Sequence, residues 1–508
     1  KQENDAIRDV FVSGFQRCAL PICHTIATEM PASTRAWRQG YYVRDQWQAS
    51  RKLTLTLGLR YEYYPLITRA QRGIERYDLE KNIMLLGGIG DVPEDIGVRV
   101  SRTHFAPRFG VAYRLGPRFV IRAGYGINID PYSLARPWRT NYPILLAMSL
   151  PAANSFAYVS RTEDGIPPVP VPDASTGRVA IAGNVAASTL PDEFERGYTH
   201  TYNFTLQREL PWSMSFQAAY VGSHGNQAVT LNQNWGDLGR GAAGQQLNKL
   251  FGRTAATNLL ILPPTSNDYN SLQTTVKREF VGGFQMQAAY TFSKSLNYAG
   301  SYTIPSMYWM NRAVSPFDRT HNLQVGFTAA PFGSGRRLAN SGVARVLLGG
   351  WQFNGIFSRY SGLPFGVGAS GTSLNTSGAS QTADQVKDRV EIYGGTGRGQ
   401  SYFDPFAFAS VTGVRFGSSG PNILRGPGVT NLDMGIFREF SATERVKMQF
   451  RAEAFNFTNT PHFNNPGANV SNMTLNTDGS IRSLNGYTEI TSAQPDERQI
   501  RLGVRISF

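Results

Sequence analysis

Cysteine is almost missing from this chain of 508 residues: Cys18 and Cys23 are its only two. Beyond residue 23 it therefore has no disulfide framework and no cysteine metal site. No run of about 18 apolar residues occurs, which excludes a bundle of membrane helices. Charged residues make up only 17%. Lys and Arg outnumber Asp and Glu by 50 to 36, yet they form no basic block and accompany no nucleic-acid motif, so neither DNA nor RNA is an expected partner. The six histidines, His24, His104, His200, His224, His321 and His462, are scattered, with neither H-E-x-x-H nor any metal-ligand spacing. Gly394-Gly-Thr-Gly-Arg-Gly399 lacks the Lys-Ser/Thr of a phosphate loop, and Ser223-His224 is not a nucleophile elbow. Asp192, Glu193 and Glu195 read as a solvated charge cluster. No catalytic residue, cofactor site or metal site is expected, and the chain does not read as an enzyme.

What is abundant is glycine, at 52 residues, and aromatics, at 12%. That content is too high for a disordered chain. In Lys52-Leu-Thr-Leu-Thr-Leu-Gly-Leu-Arg-Tyr-Glu-Tyr63, the residues Leu53, Leu55, Leu57, Leu59, Tyr61 and Tyr63 share one face, and Thr54, Thr56, Gly58, Arg60 and Glu62 share the other. Period two over about 12 residues gives a strand long enough to cross a bilayer at a tilt. The pattern recurs in 105–115 and 119–128, in 202–206 and 214–220, and in 272–276 and 284–292. Further strands are predicted near 36–48, 319–330, 350–361, 429–438, 445–456 and 497–508. Short turns near 49–51, 115–118, 210–213, 281–283 and 439–444 alternate with long segments at 65–102, 131–197, 225–267, 298–318, 363–427 and 457–496; the stretch 331–349 is the one long connection on the short side. Such alternation marks an all-β, antiparallel transmembrane barrel of the outer membrane, with periplasmic turns short and external loops long.

The last strand sets the orientation. Ile500, Leu502, Val504, Ile506 and Phe508 share one face; Gln499, Arg501, Gly503, Arg505 and Ser507 take the other. An arginine facing lipid near the midplane costs about 2–4 kcal/mol, so the arginines face the lumen. A periplasmic C-terminus puts every long segment outside. It also puts Tyr61, Tyr63, Tyr64, Tyr290 and Phe292 in an outer aromatic girdle and Trp212, Trp351, Phe437 and Phe440 in an inner one.

Several motifs now fall in order: Phe317-Asp-Arg-Thr-His321, Gly350-Trp-Gln352, Leu424-Arg-Gly-Pro-Gly-Val-Thr-Asn-Leu-Asp433, Gln449-Phe-Arg-Ala-Glu-Ala-Phe-Asn456, Pro461-His-Phe-Asn-Asn-Pro466 and Arg498-Gln-Ile-Arg-Leu502. The series resembles the C-terminal barrel of Oar-like TonB-dependent receptors of acidobacterial type, from about residue 36 onward and most strongly after 315. The resemblance implies about thirteen strands of a 22-strand barrel in the outer membrane of a Gram-negative bacterium. It also implies import of a nutrient ligand energised by the TonB complex through an N-terminal plug that this sequence does not show. Structural or adhesive service without transport is the alternative. The terminal strand, with Leu502, Val504, Ile506 and Phe508, resembles the signal read by the barrel-assembly machinery. Outer-membrane lipid is the surrounding partner. Ligand contacts are expected on the external segments, with Tyr132, Arg136, Trp138 and Arg139 in one and Tyr308, Trp309 and Asn311 in another.

The stretch 6–22 resembles the conceptual translation of a sequencing adaptor. Residues 1–23 are therefore expected to be non-native, and 24–508 to be the barrel domain, joined upstream to further strands.

Overall fold

The computed structural model describes residues 23–29, 33–151, 169–298, 300, 302, 304–331, 349–376, 380–441, 443 and 446–508. Most of the segment expected to be non-native lies outside these residues; the strand Cys23–Glu29 pairs with Leu145–Pro151.

Thirteen strands follow one another in chain order through one antiparallel sheet. They are β1 (Gln39–Trp47), β2 (Leu53–Tyr63), β3 (Phe105–Gly116), β4 (Phe119–Ile129), β5 (Tyr198–Leu210), β6 (Met214–Asn226) and β7 (Asn267–Val281). Next come β8 (Phe284–Tyr298), β9 (His321–Ala329), β10 (Trp351–Tyr360), β11 (Val429–Ser441), β12 (Lys447–Phe455) and β13 (Gln499–Ser507). Every strand expected from the alternation is present. A short strand, Arg312–Val314, adds to the far end of β8. Within the described residues β1 pairs only with β2, and β13 only with β12.

The register carries the alternation across strands. Leu55 lies opposite Val111, Leu57 opposite Phe109 and Tyr61 opposite Phe105, while Thr56 faces Gly110 and Gly58 faces Arg108. At the other end Leu502 meets Ala452, Val504 meets Phe450, and Arg501 meets Glu453. One face of the sheet is thus an apolar row from strand to strand. The other is polar and cross-linked, as in Arg122 to Gln207 at 2.6 Å and Gln352 to Asn354 at 2.8 Å. Short turns close the hairpins at one end. Between β7 and β8 the turn is Gly282-Gly283, both with positive φ (63° and 80°), the geometry that matches strand twist and that only glycine adopts freely.

The long segments are a folded layer in their own right, which the sequence did not announce. Strands of two to seven residues pair within it: Glu75–Asp78 with Ile83–Leu86, and Thr257–Ile261 with both Val229–Asn232 and Ala187–Thr189. All buried members of the three apolar clusters found among the described residues lie here. Two clusters join segments 64–104, 130–197 and 227–266, and one joins 361–428 with 456–498. Backbone bonds from Gly239 to Leu374 and from Gly241 to Asn375, both 2.6 Å, tie the two halves together.

Two aromatics depart from the girdle expectation. Tyr64 follows the end of β2 and is buried under Arg196, not set against lipid. Phe437 sits in the polar row, opposite Gln352 and Arg451, with the Arg451 guanidinium 5.1 Å from its ring centre. The acidic cluster is exposed to solvent, as expected, and two of its members pair with arginines: Asp192 with Arg76 at 2.5 Å and Glu193 with Arg99 at 2.6 Å.

Candidate functional site

Where the first four strands end beneath the folded layer, the polar row opens into a cavity of about 520 Å³. Arg38 and Gly40 line it from the start of β1, Arg60 and Glu62 from β2, Arg108 from β3 and Asn128 from β4, with Tyr64 and Pro131 above. Alternation puts these side chains on one face, and the hairpin turns fix their heights. The Arg60 Nε donates to Glu62 Oε1 at 2.8 Å, and Arg108 Nη2 donates to Asn128 Oδ1 at 2.9 Å. Three guanidinium groups against one carboxylate leave the cavity cationic.

Its roof is a tight polar cluster. Arg196 lies 4.4 Å from the Tyr64 ring centre, and its Nη1 donates to the Tyr132 carbonyl at 2.7 Å. His104 stands edge-on to Tyr64 at 5.9 Å. Burial, aided by the neighbouring Arg196 charge, holds the His104 imidazole below its ordinary pKa. Burial raises the Tyr64 hydroxyl, with the Glu62 charge adding to it, and raises the Asp130 carboxyl against the pull of Arg196. Around Arg196 the roof therefore favours the neutral forms of His104, Tyr64 and Asp130.

The sequence-derived contact residues fall in two places. Tyr132, Arg136, Trp138 and Arg139 belong to the layer above β4, where Arg136 and Arg139 are exposed and Tyr132 is half-buried. Trp138 is fully buried: its Nε1 donates to the Glu75 carbonyl at 2.6 Å, and its own carbonyl accepts from Arg69 Nη2 at 2.8 Å. Glu75, also fully buried, holds Arg69 at 2.6 Å and Arg72 at 2.5 Å. Tyr308, Trp309 and Asn311 lie beyond β8. Trp309 is 68% exposed, whereas Asn311 is buried, exchanging hydrogen bonds with the Tyr302 backbone at 2.7 and 2.9 Å. Tyr308 stacks on Tyr298 with ring centres 5.2 Å apart, and burial pushes its hydroxyl up to about 12. Trp138 and Asn311 thus build the layer and present no surface to a ligand; the other five stand at or near its surface. At the opposite end, Leu502, Val504 and Ile506 point outward on β13 and are exposed, as is Phe508 beyond them.

Arg60 is legible from sequence as a polar-face residue of its strand; its convergence with Arg38 and Arg108 needs the cross-strand register. Among the described residues, no group of three His, Cys, Asp or Glu side chains is placed to hold a metal ion.

The profile of a family described as outer membrane beta barrel domain matches residues 23–501. The chain belongs to this family. It is an outer-membrane β-barrel protein of Gram-negative bacteria, its apolar row facing lipid and its polar row the lumen. No curated protein matches the chain. Among solved structures, it is similar to the ferripyoverdine receptor of the outer membrane of Pseudomonas aeruginosa (11% identity, TM-score 0.44, covering 94% of this chain and 39% of that one). It is also similar to the siderophore receptor PiuA from Acinetobacter baumannii (9%, 0.42, 93% and 43%) and to the ferric citrate transporter FecA (12%, 0.43, 94% and 46%). The chain spans less than half the length of each.

Proposed function

We propose that this chain is the C-terminal wall and external cap of an Oar-like TonB-dependent receptor that captures a nutrient ligand outside and passes it through the barrel. The observation that carries this reading is the placement of a cationic cavity at the top of the lumen wall, directly beneath a folded external layer. A protein serving only adhesion needs an outer surface, and has no use for a polar recess opening into the lumen. The series of motifs from Phe317 to Leu502 supports the same family. The sheet supports a larger barrel, since single-chain bacterial barrels have an even number of strands and among the described residues this sheet has thirteen along its path, with β1 and β13 each paired on one side only. Open edges inside lipid would leave backbone groups unsatisfied at several kcal/mol each. In this reading Tyr132, Arg136, Arg139, Tyr308 and Trp309 offer first contacts to the ligand, and Leu502, Val504, Ile506 and Phe508 are read by the barrel-assembly machinery.

The test is to sequence the coding DNA upstream of residue 24 in an independent assembly and to ask whether the encoded protein co-purifies with the periplasmic domain of TonB. A plug, a TonB box and co-purification are expected. A signal peptide immediately upstream with no plug, or no capture by TonB, overturns the reading in favour of a passive or adhesive barrel.

A further inference from the structure

The cavity is the top of a longer feature. On the lumen face Arg44 lies opposite Gly58, Gly58 opposite Arg108, and Arg108 opposite Gly126. Arg60 stands one lumen-facing step nearer the cap, and Arg122 two steps nearer the periplasm. Each step is about 6.7 Å. A second cavity, of about 330 Å³, lies along this row and is lined by Arg44, Arg60 and Arg108 with Thr56 and Gly58. Glycine makes room for the guanidinium stems. A Cβ at Gly40 would come within 2.9 Å of Arg60 Nη2, and one at Gly126 within 3.3 Å of Arg108 Cγ.

Glu62 is the only carboxylate on the lumen rows of β1–β4, and it is already engaged by Arg60. On the lumen rows of β11–β13, by contrast, the carboxylates Asp433, Glu439 and Glu453 accompany the cations Lys447, Arg451, Arg501 and Arg505; Arg501 lies opposite Glu453, and Lys447 stands 3.9 Å from Glu439. Charges of the two signs there are nearly balanced. A file of arginines at steps of this size repels itself, and low-dielectric walls sharpen the field. The arrangement is relieved when an anion bridges the guanidinium forks, which match carboxylate and phosphate oxygens in pairs.

We propose that this row is an anion path. A multiply charged carboxylate or phosphate solute docks in the upper cavity on Arg38, Arg60 and Arg108, then descends by way of Arg44 and Arg122. The direction of travel rests on the receptor reading above; the binding itself does not.

The experiment is titration calorimetry at low salt on the complete protein encoded by the gene, purified in detergent micelles, with inorganic pyrophosphate and tricarballylate as probes and spermidine as the cationic control. Wild type is expected to bind at least one anion and not spermidine. Pyrophosphate alone would assign the phosphate class, and tricarballylate alone the carboxylate class. The pair Arg60→Gln with Arg108→Gln should weaken binding at least tenfold. Arg60→Lys with Arg108→Lys should recover part of it, and Arg505→Gln on the balanced wall should leave it unchanged. Each variant is first checked for wild-type heat-modifiable mobility; should the Gln pair not fold, Arg44→Gln and Arg122→Gln, made singly, carry the test. Absence of binding by either anion, or equal binding by the neutralised variants, overturns the anion path. The two readings fail separately: TonB capture without anion binding removes only the path, and anion binding without TonB capture removes only energised import.

Discussion

On the wall an apolar side chain such as Leu57 remains half exposed, because lipid completes its surroundings; in the cap Ile74, Met84 and Trp138 are shut away from solvent entirely. The two regions also treat charge differently. Lumen groups such as Arg122 and Gln207 bond one another in an exposed row, whereas the cap buries Glu75 between Arg69 and Arg72. The wall is thus stabilised by its ladder and by a membrane that must be present. The cap carries its own apolar core and behaves in that respect like a small soluble domain threaded between strand ends. A substitution that ruins one region should leave the other largely intact.

The largest effect is expected on the wall. Leu55 sits in the apolar row opposite Trp47 and Val111, while its neighbour Thr56 faces the lumen opposite Gly110. Leu55→Arg puts a charge into lipid at about 2–4 kcal/mol near the midplane, and Thr56→Arg puts the same charge into water. The heat-modifiable fraction recovered from outer membranes should collapse for the first variant and hold for the second. Equal recovery would show that the facing is misassigned.

In the cap the matching experiment is Trp138→Ala. Emptying so large a buried site costs about 3–5 kcal/mol, and here it also strands the Glu75 carbonyl. Limited proteolysis should cut segments 64–104 and 130–197 much faster, with the heat-modifiable mobility of the wall unchanged. Trp309→Ala, at an exposed position, should leave the digestion pattern as it is. Loss of the wall along with the cap would show that the regions are one cooperative unit.

The unequal legibility of the two regions has the same cause as their different stability. Lipid on one side and water on the other impose period two on every wall strand, and 53–63 can be read unaided. The cap has no such uniform surroundings. Its strands are too short for periodicity, and its partners are remote in sequence: Arg76 with Asp192, Asn141 with Ser188, Arg253 with Val185. Trp138 accordingly looks like a recognition aromatic from sequence, and only the closure of Glu75 and Arg69 around it shows it to be core. Tyr64 reads as a girdle residue for the same reason, since nothing near it in sequence foretells Arg196 lying on its ring. The lumen arginines are intermediate: the facing of Arg60 is legible in its strand, but its juxtaposition with the others is not.

The smallest expected effect separates the two halves of the cap by pH. His104, in the first half, is held below its ordinary pKa by burial and then by Arg196. The folded form therefore binds fewer protons than the unfolded chain. Its contribution to stability is present above the ordinary histidine range and is lost as pH falls through the lowered value. His462 lies in the second half, with its ring against Asp496 and its Nε2 donating to the Thr430 carbonyl at 3.0 Å. Burial works to lower it, but the Thr430 hydrogen bond and the Asp496 carboxylate outweigh burial, so its pKa is raised. Its contribution is complete below the ordinary value and is lost as pH rises through the raised one. Lowering the pH from 8 to 5 should thus loosen segment 64–104 and tighten 456–498, seen as opposite changes in amide hydrogen exchange corrected for intrinsic rates. His104→Phe should abolish the first response alone, and His462→Gln the second alone. Parallel shifts in both segments would mean that proton binding is not local to these rings and that the halves of the cap respond as one body.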